Sequence, residues 1–368
     1  MDLDYGLGEK RKKRAFPQAL IFLELKLSRP QAIITTNTMP TNKYAEVSLK
    51  ANRFLERIFP LLVSLGVVLG ILLPWLFIGL LPYVPWLFGL VTLAGALKLR
   101  VRELGKTVSS PLPILLFFFT ARIFFPLMVF FLSSLIFRNE PDIVAGYVLL
   151  YSVPTAVTGF IWVTIFKGNH ALALTLILLD TIFAPIVVPV TVRLFLGAGI
   201  NLDMMGMAVS LILMIVIPTV IGVTLNETSR GKIPAMITPY ITPLSKLTMF
   251  LVVAANVAAV AHQIRFDNPW VWIISAACVS FIVLSFICSR FATLAVKFDR
   301  EKQISFLFTS CLRNSAAAMT LAIRYFPEYA ALPAVLGIVF QQNTAAVMGR
   351  IFFGKIGRSE NTPPGRQQ

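Results

Sequence analysis

The chain has little of what enzymes, metal proteins and disulfide scaffolds are built from. Three cysteines, Cys278, Cys288 and Cys311, are spread over 368 residues, all in apolar stretches and with no Cys-x-x-Cys pair. That spacing gives neither a disulfide framework nor a structural zinc site. The two histidines, His170 and His262, are too few for a histidine-based metal cluster, and His170 reads as a solvated loop residue at a membrane surface. No phosphate-binding Walker loop occurs, so ATP is not the evident energy source. No nucleophile–base or metal constellation points to an enzyme, and no cofactor is implied. The net charge of +16 comes without any zinc-finger, helicase or RNA-binding pattern. Charge alone does not indicate nucleic acid.

What the chain has in excess is apolar sequence. Hydrophobic residues make up 57% of it, and its mean hydropathy is +0.79. Runs of about 20 apolar residues, the length that crosses a bilayer, recur from about residue 58 to about residue 353. They predict an all-α integral membrane protein with ten spans, near 58–74, 84–99, 111–137, 142–166, 170–197, 203–226, 240–263, 269–296, 302–324 and 328–353. Residues 55–355 form the transmembrane domain on this reading. Residues 1–50 read as a largely disordered cytoplasmic arm, with the basic cluster Lys10-Arg11-Lys12-Lys13-Arg14 able to touch anionic lipid. A plainer reading starts translation at Met39. Residues 356–368 read as a cytoplasmic tail.

Loop charges set an orientation. With the amino terminus in the cytoplasm, inner loops receive Lys98, Arg100, Arg102, Lys106, Lys167, Arg230, Lys232, Lys297, Arg300 and Lys302. Outer loops receive only Arg138, Arg265 and Arg324. The tail residues Lys355, Arg358 and Arg366 fall inside. Positive residues collect on the cytoplasmic side, so both ends are expected in the cytoplasm of a multi-pass plasma-membrane protein.

The fourth and ninth segments are interrupted. The fourth carries Ser152-Val153-Pro154-Thr155-Ala156-Val157-Thr158-Gly159, and the ninth Thr309-Ser310-Cys311-Leu312-Arg313-Asn314-Ser315. Backbone is left unpaired at membrane depth only where protein or a wet cavity can satisfy it. Interrupted segments at corresponding places in two halves point to a transporter's midplane site. The order of features repeats after five spans, so the second copy would insert upside down. This predicts two inverted five-helix repeats and alternating access.

Arg122, Asp180 and Arg313 all fall near mid-depth. A charge there costs about 2.5–3.5 kcal/mol on insertion scales, so the three are expected to face one another or a wet cavity. Two cations and one anion favour an anionic ligand, although Asp180 can equally serve as glue for an arginine. Thr155, Thr158, Thr309, Ser310, Asn314 and Ser315 offer polar groups at the breaks. Gln341, Gln342, Asn343 and Thr344 form a polar run that either lines the same cavity or bonds between helices. Phe117, Phe118 and Phe119 read as lipid-facing or packed.

The run with Pro154, Lys167-Gly168-Asn169, Ala171-Leu172 and Pro185 resembles the fourth and fifth spans of the bile acid:sodium symporter family. Asn314-Ser315, the following alanines, Tyr325-Phe326 and Ala330-Ala331-Leu332-Pro333-Ala334 resemble its ninth and tenth spans. Pro82 to Leu99 is similar to the second. The resemblance covers roughly residues 55–355. It implies a core and a panel domain, two broken helices that cross at the site, and elevator-like or rocking movement. Sodium-coupled members carry a Ser-Asn pair at the fourth break and a Glu and a Gln at the ninth. An ungapped match puts Gly159, Phe160, Thr309 and Arg313 at those positions. A guanidinium offers only donors and cannot ligate sodium. The expectation is therefore a secondary transporter of a small organic anion, with Arg313 as a fixed cation. Its coupling ion is sodium or a proton, with Asp180 as the proton candidate. The chain also resembles the arsenite-efflux permeases of the same superfamily through Arg313-Asn314, Trp162 and Lys167-Gly168. Thr155 stands where their cysteine falls, although Cys311 is near the other break, so metalloid efflux stays as an alternative. A channel is the different-class alternative. Oligomeric state is left open.

Overall fold

A computed structural model describes residues 43–99, 111–197, 202–264 and 267–354. Most of the amino-terminal arm and the tail from 356 lie outside the described residues, as do Met39, Arg100, Arg102, Lys106, Arg265, Lys355, Arg358 and Arg366. All regular elements among the described residues are helical.

The first helix, α1 (Lys43–Leu72), carries an apolar stretch at Leu61–Leu72. Short turns over Pro74–Tyr83 lead into α2 (Val84–Ala96). Then follow α3 (Pro111–Ile136), the half-helices α4 (Pro141–Ser152) and α5 (Thr158–Ile165), α6 (His170–Leu196) and α7 (Met204–Thr228). The rest are α8 (Lys232–Val260), α9 (Pro269–Ala295), the half-helices α10 (Arg300–Cys311) and α11 (Ser315–Tyr325), and α12 (Leu332–Phe353). Seven continuous helical stretches are long and apolar enough to cross a membrane. The expected fourth and ninth spans are each two half-helices.

Proline placement explains several local features. Helix α8 begins at Lys232, well before the expected start near 240, and runs through Pro239 and Pro243. Likewise α6 runs through Pro185 and Pro189. Neighbouring helices can repair the bond that a proline loses in a membrane bundle. In α3 and α7 the accommodation is different. A π-helical turn, Phe119–Phe124, precedes Pro126, and another, Ile212–Val216, precedes Pro218. Proline has no N–H, so the wider i→i+5 register leaves one carbonyl before each proline without a helical donor.

The outer faces of the bundle are apolar, with Phe131, Ile186 and Phe291 all about two-thirds exposed. A bilayer is the solvent that such a surface fits. The three-phenylalanine stripe divides accordingly: Phe117 is fully buried and Phe119 is exposed.

Candidate functional site

The two breaks meet. Val153 and Leu312 leave their helices in extended conformation, at ψ 157° and 105°. Thr155 and Arg313 then pair as a single antiparallel bridge. Ala156 N donates to Leu312 O at 2.9 Å, and Asn314 N donates to Pro154 O at 2.9 Å. Each interrupted segment thus satisfies backbone groups that its own helix abandons, as burial requires. The Thr155 hydroxyl adds a bond to Thr309 O at 2.7 Å. Gly159 allows the close approach: a side chain there would bring its Cβ to 2.9 Å from Phe308 O.

Asp180 of α6 reaches the crossing from the side and is fully buried. Its Oδ2 accepts from Thr155 N at 2.7 Å, and its Oδ1 accepts from Arg122 Nε at 2.6 Å. Arg122 closes the ion pair with Nη2 and donates from Nη1 to Ser152 O, the last residue of α4. One carboxylate and one guanidinium therefore fix both strands of the fourth break. A pair this buried holds only because nearly every donor and acceptor is used.

Arg313 is held differently. It is also buried, with 1% of its surface exposed. Its Nη2 donates to Ala121 O at 2.9 Å. That is the carbonyl which the π-helical turn and Pro126 leave without a helical partner. Its Nε and Nη1 have no hydrogen-bond partner among the described residues. The Tyr151 hydroxyl and the Ser315 hydroxyl are unpartnered too. The guanidinium lies 6.0 Å over the Phe125 ring, and Tyr151 packs edge-on against the same ring at 6.4 Å. Buried polar groups are normally satisfied, and the Arg313 guanidinium departs from that rule among the described residues.

The other candidates sort by contact. Asn314 caps α11, its Oδ1 accepting from Ala317 N at 3.2 Å. Gln341, with its amide turned to satisfy both ends, brackets the Arg313 backbone, donating to its O and accepting from its N at 2.8 Å. Gln342 accepts from Trp162 Nε1 at 2.7 Å and donates to Thr158 Oγ1 at 3.0 Å, tying α12 to α5. Asn343 is exposed and bonds back to Val339 O of its own helix at 3.2 Å, so the structure does not bring it to the crossing. The Thr309 hydroxyl also turns to its own helix, at Ser305 O and Phe306 O. Ser310 shares a bond with Ser289 at 2.9 Å, and Cys311 sits beside both. No group of three or more His, Cys, Asp or Glu suited to a metal occurs among the described residues.

Sequence reasoning missed Tyr151, the Ser152 and Ala121 carbonyls, and the Trp162–Gln342 lock. Tyr151 had a signal, since a tyrosine one turn before a break at membrane depth needs a partner. The carbonyls had none, because every residue carries one.

Residues 84–266 match the profile of the Sodium Bile acid symporter family. The chain is 36% identical over 292 residues to the uncharacterized protein YbaS of Bacillus subtilis, covering 79% of this chain and 95% of that one. It is 25% identical over 333 residues to the probable sodium/metabolite cotransporter BASS1, chloroplastic, of Arabidopsis thaliana, covering 88% and 80%. It is 20% identical over 318 residues to the uncharacterized sodium-dependent transporter YocS of Bacillus subtilis, covering 86% and 97%. The chain is a multi-pass membrane transporter, not an enzyme, and belongs to the sodium bile acid symporter family.

Proposed function

We propose that this chain is a secondary active transporter that moves a small organic anion across the plasma membrane by alternating access, with Arg313 as a fixed cation at the cargo site. The transport domain is residues 55–355, folded as ten spans in two inverted five-helix repeats with a core and a panel. Both termini face the cytoplasm. Seven continuous helical stretches, the apolar end of α1 and two pairs of half-helices support this count. The observation that carries the cargo reading is the buried Arg313 guanidinium with two unused donors, packed with the unpartnered Tyr151 around the Phe125 ring. Charge-assisted bonds from a guanidinium suit a carboxylate or a similar oxyanion.

Coupling follows from the same residues. The names of the relatives BASS1 and YocS favour sodium. The residues at the crossing fit it poorly: Gly159 has no side-chain oxygen and no room for one, and Arg313 brings a positive charge. Sodium needs several oxygen ligands, and a guanidinium supplies none. Our reading is that Arg313 replaces the ion and that protons couple through Asp180. A proton on Asp180 would weaken its hold on Arg122 and on Thr155 N, and so loosen the fourth break.

The test is uptake by proteoliposomes of purified protein, with a mixed pool of radiolabelled organic anions and arsenite. Saturable organic-anion uptake that disappears in Arg313→Gln supports the reading. Uptake of arsenite alone, or flux unaffected by the substitution, sinks it.

A further inference from the structure

We propose that a cavity at the far end of α11 from the crossing is a docking site for a small organic carboxylate, with Arg324 as the cation that receives it. The cavity has a volume of about 630 Å³, within the range of small-molecule sites. It lies between the start of α2, the first turns of α7 and the last turn of α11. Pro85 and Phe326 give it apolar wall.

Its polar groups divide into committed and free. The Tyr325 hydroxyl bonds to Gly206 O at 2.8 Å and shares a bond with Ser210 at 2.6 Å, which makes a fixed floor. Asp203 caps α7, its Oδ1 accepting from Gly206 N at 2.8 Å. Its charge faces the positive end of that helix and is stabilised there. Arg324 is exposed, rests 5.6 Å over the Tyr325 ring, and makes no ion pair among the described residues. It is the uncommitted charge of the cavity.

Position supports a role in the cargo path. Arg313 precedes α11 and Arg324 lies in its last turn, so about 16 Å of half-helix separates the two guanidinium-bearing residues at 1.5 Å per residue. The same helices that border the cavity, α2 and α7, are sealed at their other ends. Ala96, Leu99 and Val223 form a buried apolar cluster there with Leu174 and Leu178 of α6. Among the described residues, the Arg324 end of this interface is open and polar, whereas apolar side chains pack at the other.

This inference rests on the reading of the cargo as an anion, and its test is kept independent of transport. Val209 lines the cavity and is exposed. Full-length Val209→Cys protein in detergent is treated with a sulfonate-bearing or a trimethylammonium-bearing methanethiosulfonate. Labelling is followed site by site by mass spectrometry, with half-buried Cys288 of α9 as the internal reference. The introduced thiol is expected to prefer the sulfonate reagent about threefold relative to Cys288, the effect of an exposed, solvent-screened charge partly offset by Asp203 in the same lining. Arg324→Gln should bring that preference to near one, and Arg324→Lys should keep most of it. Butyrate should slow the sulfonate reagent at the introduced thiol and not at Cys288. Equal rates for the two reagents, a preference unchanged by Arg324→Gln, or no effect of butyrate overturns the proposal. Absence of this preference while Arg324 is present counts against the cavity alone, whereas absence of organic-anion uptake in proteoliposomes counts against the cargo reading alone.

Discussion

Arg122 and Arg313 are both buried arginines at one crossing, yet they are used in opposite ways. Arg122 spends all three nitrogens, on the Asp180 carboxylate and on the Ser152 carbonyl. Arg313 spends one, on the carbonyl of Ala121, the residue just before Arg122. Charge and burial alone do not separate a structural arginine from a functional one. The count of unused donors is the difference between them, and it is the ground on which Arg313 is proposed as the functional one. Arg122 holds the fourth break in shape, and Arg313 presents a fixed positive charge within that shape.

The largest effect should come from breaking the satisfied pair. Asp180→Ala leaves Arg122 buried without its counter-charge and Thr155 N without its acceptor. A loss of about 3–5 kcal/mol is expected, read as a large drop in thermal midpoint in detergent and poor yield. Arg313→Gln should separate function from stability. It removes one hydrogen bond, a net cost of about 0.5–1.5 kcal/mol, partly offset by no longer burying a charge. Its thermal midpoint should stay near that of the parent while organic-anion flux disappears. If Asp180→Ala and Arg313→Gln prove equally costly to stability, the two arginines do not differ in this way.

Gln342→Leu comes next. It strips Trp162 Nε1 and Thr158 Oγ1 of their partner and should cost about 1–3 kcal/mol, with flux reduced rather than abolished. The smallest change should come from Asp299→Ala, outside the spans. Asp299 caps α10, its Oδ1 accepting from Lys302 N at 2.8 Å, and loss of such a cap costs about 1 kcal/mol. Partial burial acts to raise the Asp299 carboxyl, but its bonds to Lys302 outweigh this and hold it below the usual carboxylate range. Its contribution is therefore complete above that range and fades as pH falls through the lowered value. The stability gap between parent and Asp299→Ala should narrow in acid, with flux at neutral pH unchanged.

The sequence exposes charge and helix-breaking residues, and those parts of the structure were readable in advance. Pro154 marks one break. A polar run ending in Arg313-Asn314 marks the other, where Asn314 serves as the helix cap. Counting depth along the spans placed Arg122 and Asp180 at one level. Register and tertiary direction are not written so locally. The π-helical turn that frees the Ala121 carbonyl depends on which i→i+4 bonds are given up around Pro126, and a proline permits several answers. The adjacent residues Gln341, Gln342 and Asn343 look alike in sequence. In the helix, 100° steps send them to the Arg313 backbone, to Trp162 and to the exposed surface. The Arg324 cavity has no sequence signature, because its walls come from three distant segments.

The proposal that the tethered Arg313 guanidinium takes the place of a mobile coupling cation has a direct test. The most direct measurement is organic-anion flux in proteoliposomes under a sodium gradient and, separately, a proton gradient. The account predicts flux that follows the proton gradient, ignores sodium, and is lost in Asp180→Asn even where that protein remains folded. Flux that follows sodium and persists in Asp180→Asn would contradict it.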